Sequence, residues 1–383
     1  MMHSRLLHRT PRRTQLKSAT LVAIVASVQA AFGAPKVQNV SGPLDHNATV
    51  TVTGSGFGSK TTAAPLVWDN ASGKSITEKW SGGWPNQVPG YNLDYYKPMR
   101  GISPPHPRDA RYIAGAHISN AGAYSGLAVM MYKSIPTPKL PYYIYASWYQ
   151  RADDQWHFGG DNNYKTFDYS EGSEPYAVNK SWYACYGPPH PNSATDDSAQ
   201  WANEAGTPLS LPDRHGHSAW WGHAVNPMAG QWSKVEIAVK VTDQPDGYIN
   251  IWENGHPVLN YAGLTDKYDN PRRTIAVGGY ARMQGYDSNW RYFDDVYIDT
   301  SLARVVLADK PVLSQATVIE NQIPSAWSDG SVTVTVNLGK FTQGQPVYLF
   351  VVDPTGTPSA SGLALTAAGT TFMPNAPTAV AVH

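Results

Sequence analysis

The chain has one cysteine, Cys185, in 383 residues, which excludes an intramolecular disulfide framework and a cysteine-rich zinc site. Glutamate is scarce: Glu78, Glu171, Glu174, Glu204, Glu236, Glu253 and Glu320 are the full set. Long apolar runs are missing too. The best of them, Ala19 to Ala31, falls short of the roughly 20 residues that a membrane-spanning helix needs. Formal charge is zero, yet the first 34 residues carry Arg5, Arg9, Arg12, Arg13 and Lys17 and no acid. Beyond them acids outnumber bases by five, the wrong balance for the basic footprint of a nucleic-acid binder. That basic start, the apolar run and the small residues Ala30, Gly33 and Ala34 read as a secretory leader over residues 1–34. A secreted or cell-surface protein is expected, with no integral membrane segment in the mature chain.

Helical periodicity is hard to find after the leader, whereas alternation recurs. It runs through Ala48–Thr53, Tyr142–Tyr149, Lys234–Val241, Tyr248–Trp252, Arg291–Ile298 and Val332–Val336. Turn residues separate these runs, as in Pro245-Asp246-Gly247 and Asn254-Gly255. Many short strands punctuated in this way predict an all-β sandwich or barrel. In one strand Val235, Ile237, Val239 and Val241 share a face and should cover a core, while Lys234, Glu236 and Lys240 turn to water. Two faces are polar and aromatic instead: Tyr143, Tyr145, Ser147, Tyr149 and Arg151, and Tyr248, Asn250 and Trp252. Such faces suit a groove.

Two resemblances follow. Asn163–Phe167, Trp232–Glu236, Gly247–Gly255 with its W-x-N-G hairpin, and Tyr292–Asp299 with its late DDV strand resemble a concanavalin A-like lectin/glucanase jelly roll, which implies that fold over residues 66–300. Val37–Val40 and Ala48–Gly58 resemble the opening of an IPT/TIG immunoglobulin-like module, and Ala303–Leu307, Ile323-Pro324 and Val332–Val336 resemble its later strands. The resemblance implies a split Ig-like β-sandwich, residues 35–65 plus a C-terminal module in 301–383, with the jelly roll inserted at exposed turns. A short N-terminal arm and an independent C-terminal sandwich is the alternative.

The chemistry is then narrowed by what a polysaccharide enzyme needs. Glycoside hydrolysis uses two carboxylates about one sugar bond, and jelly-roll glucanases carry them as E-x-D-x-E; this chain has no such pattern. Polysaccharide lyases on the same fold instead remove the proton α to a uronate carboxyl with Tyr or His, while Arg, Gln or Asn neutralises the carboxylate. The resemblance thus makes Tyr280, Arg282, His117 and His217 catalytic candidates. Lys165, Gln284 and Tyr286 would help to bind the polysaccharide, with Tyr145, Trp220, Trp221 and Trp252 as stacking or hydrogen-bonding partners. The same groove without chemistry would make a lectin-like or adhesive protein. His215, His217 and His223 suit a transition metal by type, but no acid sits at a matching spacing. Gly216–Trp220 lacks the last glycine of a nucleophile elbow. Finally, the jelly-roll resemblance implies a structural calcium site joining Asp69 to Asp294 and Asp295, against the alternative that these acids cap neighbouring turns.

Overall fold

The computed structural model describes residues 33–73, 75–84, 93–94, 102–106, 111–117, 130–136, 140–152, 154, 163–172, 181–186, 198–203, 218–222, 230–265, 272–279 and 289–368. Strands β1 (Lys36–Ser41) and β2 (Thr49–Ser55) come first. The middle of the chain supplies β3 (Val67–Asp69), β4 (Gly82–Trp84), β5 (Leu93–Asp94), β6 (Ile113–His117), β7 (Met130–Pro136), β8 (Tyr142–Ala152), β9 (Asn163–Glu171) and β10 (Ser181–Tyr186). It continues with β11 (Ser198–Asn203), β12 (Ser218–Gly222), β13 (Ser233–Val241), β14 (Gly247–Glu253), β15 (His256–Gly263), β16 (Arg272–Gly278) and β17 (Asn289–Asp299). The last are β18 (Arg304–Ala308), β19 (Ile319–Asn321), β20 (Ile323–Ser328), β21 (Ser331–Thr335), β22 (Pro346–Val352) and β23 (Leu363–Thr366). Only short 3₁₀ turns, at Ile76–Glu78 and Leu313–Gln315, are helical among the described residues. None of their helices is long and apolar enough to cross a membrane. The leader read over 1–34 lies, but for Gly33 and Ala34, outside the described residues.

The larger sandwich faces an eight-stranded sheet, ordered β15-β14-β13-β8-β17-β6-β5 with β3 added on β17, against a seven-stranded sheet ordered β12-β11-β10-β9-β16-β7-β4. Period-2 alternation builds its core. Ile144, Ala146, Trp148, Val235, Ile237, Val239, Ile249 and Ile251 point inward from one sheet, and Met131, Phe167, Tyr169, Ile275 and Val277 from the other. Trp148 stacks on Phe167 with ring centroids 5.8 Å apart and planes 7° from parallel. Its indole N–H donates to Gln150 Oε1 at 3.0 Å, so the aromatic fills the core without stranding a donor. The Asn254-Gly255 turn closes β14 onto β15 with φ of 48° and 77°, the left-handed pair that a two-residue hairpin of this twist requires.

Both ends of the chain meet in a smaller sandwich. One sheet is β1-β2-β21-β20 and the other is β19-β18-β22-β23. Thr49 to Thr53 pair with Thr335 to Ser331, and Val50, Val52, Val332 and Val334 face Val305, Leu307, Val347, Leu349 and Val351 across one apolar core. Phe57 N–H donates to Asp329 O at 2.9 Å and Trp327 Nε1 to Gly58 O at 3.2 Å, pinning the exit of β2 to the β20–β21 hairpin.

One expectation is corrected here. The polar-aromatic face of β8 and β13 is no open groove, because β18 and β19 lie over it. Tyr145, Ser147 and Tyr149 are at most 1 % exposed, and Lys234 and Glu236 are buried with them. Of the three charges expected to face water, only Lys240 is part-exposed.

Candidate functional site

The other outward-facing polar row belongs to the seven-stranded sheet. Phe167, Tyr169, Ile275 and Val277 point into the core, so the residues between them point the other way. Those are Asp168, Ser170, Thr274 and Ala276, all fully buried. Register draws one row across this sheet: Gly82, Tyr132, Ala276, Asp168, Trp182, Ala202 and Ser218 are successive neighbours. A bulge between Tyr183 and Ala184 resets the next row, which runs Lys165, Ala184, Gln200 and Trp220. Thr274 Oγ1 donates to Gly172 O at 2.9 Å and lies 3.3 Å from Ser134 Oγ. A carboxylate and hydroxyls in the middle of a sheet are costly unless something polar meets them.

The structure places Lys165 in β9 and Trp220 and Trp221 in β12, the far strand of the same sheet. His117 ends β6 in the other sheet, opposite Asn289. His217, Tyr280, Arg282, Gln284 and Tyr286 lie outside the described residues, as do His215 and His223. Strand β16 ends at Gly278, and Gly279 O accepts from Arg291 Nη1 at 2.6 Å, one residue short of Tyr280.

Tyr145 does not line a substrate groove. Its hydroxyl donates to Glu236 Oε1 at 2.6 Å, and the Arg304 guanidinium lies 4.1 Å from its ring centroid. Burial first, then the Glu236 carboxylate, raise its pKa well above the ordinary phenol value, which makes it an obligate donor. Tyr149 is fixed in the same way by Glu320, at 2.7 Å. Glu320 also accepts from Lys234 Nζ and from Lys340 N–H, both at 3.0 Å. One carboxylate of the smaller sandwich therefore gathers three donors, two of them from the larger. Trp252, by contrast, is half-buried and lines a cleft beside the smaller sandwich.

The expected calcium ligands are not brought together. Asp69 pairs with Val296 in the β3–β17 ladder, but its carboxylate takes Trp80 Nε1 at 2.7 Å, Ala71 N–H at 3.1 Å and Lys79 Nζ at 3.4 Å. Asp294 and Asp295 instead share a cluster with His106, their ligand-type atoms within 4.8 Å of one another. The bulge in β17 puts Asp295 at a φ of 46°, and its Oδ2 meets His106 Nε2 at 3.1 Å and Asn337 Nδ2 at 3.0 Å. Burial alone would push the imidazole down; the Asp295 carboxylate outweighs it and raises His106 to about 10. Burial likewise opposes Asp295 ionising, and His106 holds its carboxyl below the ordinary value. Calcium wants six to eight oxygens. This cluster offers two carboxylates and one imidazole, a poor donor set for it. His106, Asp168 and Glu320 escaped sequence reasoning; only Asp168 left a signal, as the acid between two inward aromatics.

No protein-family model matches the chain, and no curated protein matches it either. Solved structures with a similar outline include an endo-β-1,4-glucuronan lyase from the fungus Trichoderma reesei, with 13 % identity and a TM-score of 0.43, covering 62 % of this chain and 97 % of that one. An alginate lyase is similar at 13 % identity and a TM-score of 0.39, covering 65 % and 96 %. An alginate lyase from a Chlorella virus is similar at 11 % identity and a TM-score of 0.34, covering 51 % and 87 %. The fold class itself rests on the sheets described above: an all-β chain of antiparallel sheets packed as sandwiches.

Proposed function

We propose that this is a secreted carbohydrate-active protein whose substrate cleft is the outer face of the seven-stranded sheet, and that it cleaves a uronate-containing polysaccharide by β-elimination. The observation that carries the reading is the register row that brings Lys165, Gln200 and Trp220 side by side across β9, β10, β11 and β12. Strand β16 ends at Gly278, two residues before Tyr280 in the sequence.

In the reaction, Arg282 pairs with the uronate carboxylate and so favours loss of the adjacent ring proton. Tyr280 or His217 takes that proton, the electron pair forms the ring double bond, and the glycosidic oxygen leaves with a proton from an acid in the site. Lys165 and Gln200 bind hydroxyls or the carboxylate, and Trp220 offers an aromatic face. His117 starts from the opposite sheet and is the weaker proton carrier. The leader over 1–34 directs export. The smaller sandwich is a split IPT/TIG-like support, 35–65 with 301–383, around a jelly roll over 66–300.

Ultraviolet absorbance during incubation with a panel of uronate polysaccharides tests this, since elimination creates a conjugated double bond. Rising absorbance that Tyr280→Phe abolishes while binding persists supports elimination. Saturable binding without any rise makes the protein a lectin-like glycan binder. Running each arm with calcium and with chelator tests the expected ion directly.

A further inference from the structure

A second cleft of ≈ 460 Å³ opens between the eight-stranded sheet and the smaller sandwich, within the ordinary size range of ligand pockets. Its floor is the outward face of β14, where Tyr248, Asn250 and Trp252 alternate with buried residues and are each half-exposed. Four residues of strand separate the two aromatics, about 13 Å at the usual rise, room for more than one sugar ring. Glu236 and Arg304 stand at the walls, one from each sandwich. Glu236 spends one oxygen on Tyr145, and Arg304 donates from Nη1 to Leu302 O at 2.9 Å.

Two polar atoms here have no hydrogen-bond partner among the described residues although both are buried, Asn250 Oδ1 and Arg304 Nε. A buried acceptor and a buried donor left open are costly in a finished interior. Both atoms lie beneath the solvent-reached surface of the lining. Tyr248 is pushed up to about 12, chiefly by burial, so its hydroxyl stays a donor.

We propose that this cleft is a second glycan site, distinct from the uronate cleft, and that it takes neutral sugar units. Flat aromatic surfaces at both ends suit the C–H faces of pyranose rings. Between them the Asn250 side chain, Glu236 and Arg304 line the cleft and offer hydrogen-bonding groups to hydroxyls. Glu236 and Arg304 cancel in charge, so the pocket holds no net cation to recruit a carboxylate and disfavours a uronate next to Glu236. The site would hold a neutral stretch or a neighbouring chain of a mixed polysaccharide while the other sheet handles the acidic units. This assignment is independent of the elimination chemistry.

Calorimetric titration of the full chain with neutral gluco-, manno- and xylo-tetraose, and separately with a tetra-uronate, tests it. At least one neutral tetraose should bind saturably. Trp252→Leu should weaken that binding tenfold or more, and Asn250→Ala should weaken it severalfold, with tetra-uronate binding or cleavage unchanged and thermal unfolding within a few degrees of the parent. If no neutral tetraose binds the parent chain, or if both variants bind as the parent does, the site is refuted. Neutral binding lost on Trp252→Leu in a protein that never acts on uronates would uphold this site and overturn the elimination reading alone.

Discussion

The two sheets of the larger sandwich both bury polar residues on their outer faces, but only on one do described strands of the smaller sandwich supply the partners. On the eight-stranded sheet the partners are protein. Tyr145 meets Glu236, Tyr149 and Lys234 meet Glu320, and Ser147 Oγ accepts from Asn321 Nδ2 at 2.7 Å. On the seven-stranded sheet Asp168, Ser170 and Thr274 face away from the core yet are fully buried, and Thr274 Oγ1 donates to Gly172 O at 2.9 Å. A polar sheet face is thus not in itself a binding surface.

The sharpest break of this contrast is at Glu320. Glu320→Ala removes the acceptor for three donors and leaves Lys234 buried without its counter-charge, so stability should fall by about 3–5 kcal/mol, read from the urea midpoint. A loss well under that would show that the smaller sandwich is not what satisfies this face. Next comes pH. His106 is raised from its ordinary 6.5 to about 10, so its contribution is complete below about pH 6.5 and lost as pH rises through 10. Melting temperature should decline across that alkaline window in the parent, and the decline should flatten in His106→Gln.

A smaller effect is expected at Gly255, whose φ of 77° would strain any side chain and whose added Cβ would lie 2.6 Å from Ala316 O. Gly255→Ala should cost about 1–3 kcal/mol and loosen the wall of the second cleft, which calorimetry with a neutral tetraose would detect. Least of all should change at Lys240. It shares a strand face with Lys234, but its partner Asp246 lies in solvent at 2.6 Å. Lys240→Met should leave the urea midpoint where it was, whereas Lys234→Met should lower it.

Much of the fold was legible because strand alternation is a local property. The runs at Tyr142–Tyr149, Lys234–Val241, Tyr248–Trp252 and Arg291–Ile298 all fall in strands β8, β13, β14 and β17. Asn254-Gly255 makes the turn that its backbone freedom allows. The site was less legible. Tyr145 has the composition of a groove residue, and nothing near it in sequence announces that Asn321 and Glu320 will close over its face. Asp69 pairs with Val296, next to Asp295 in the chain, yet Trp80 claims one carboxylate and His106 the other.

What the sequence by itself determined, then, is which residues face inward and which outward along each strand, because a period of two needs no partner to be read. What only the tertiary structure decided is which outward faces meet protein. That choice depends on contacts between segments far apart in the chain, such as Tyr149 with Glu320 and Thr49 with Thr335, and a polar side chain does not encode locally whether protein or solvent will meet it.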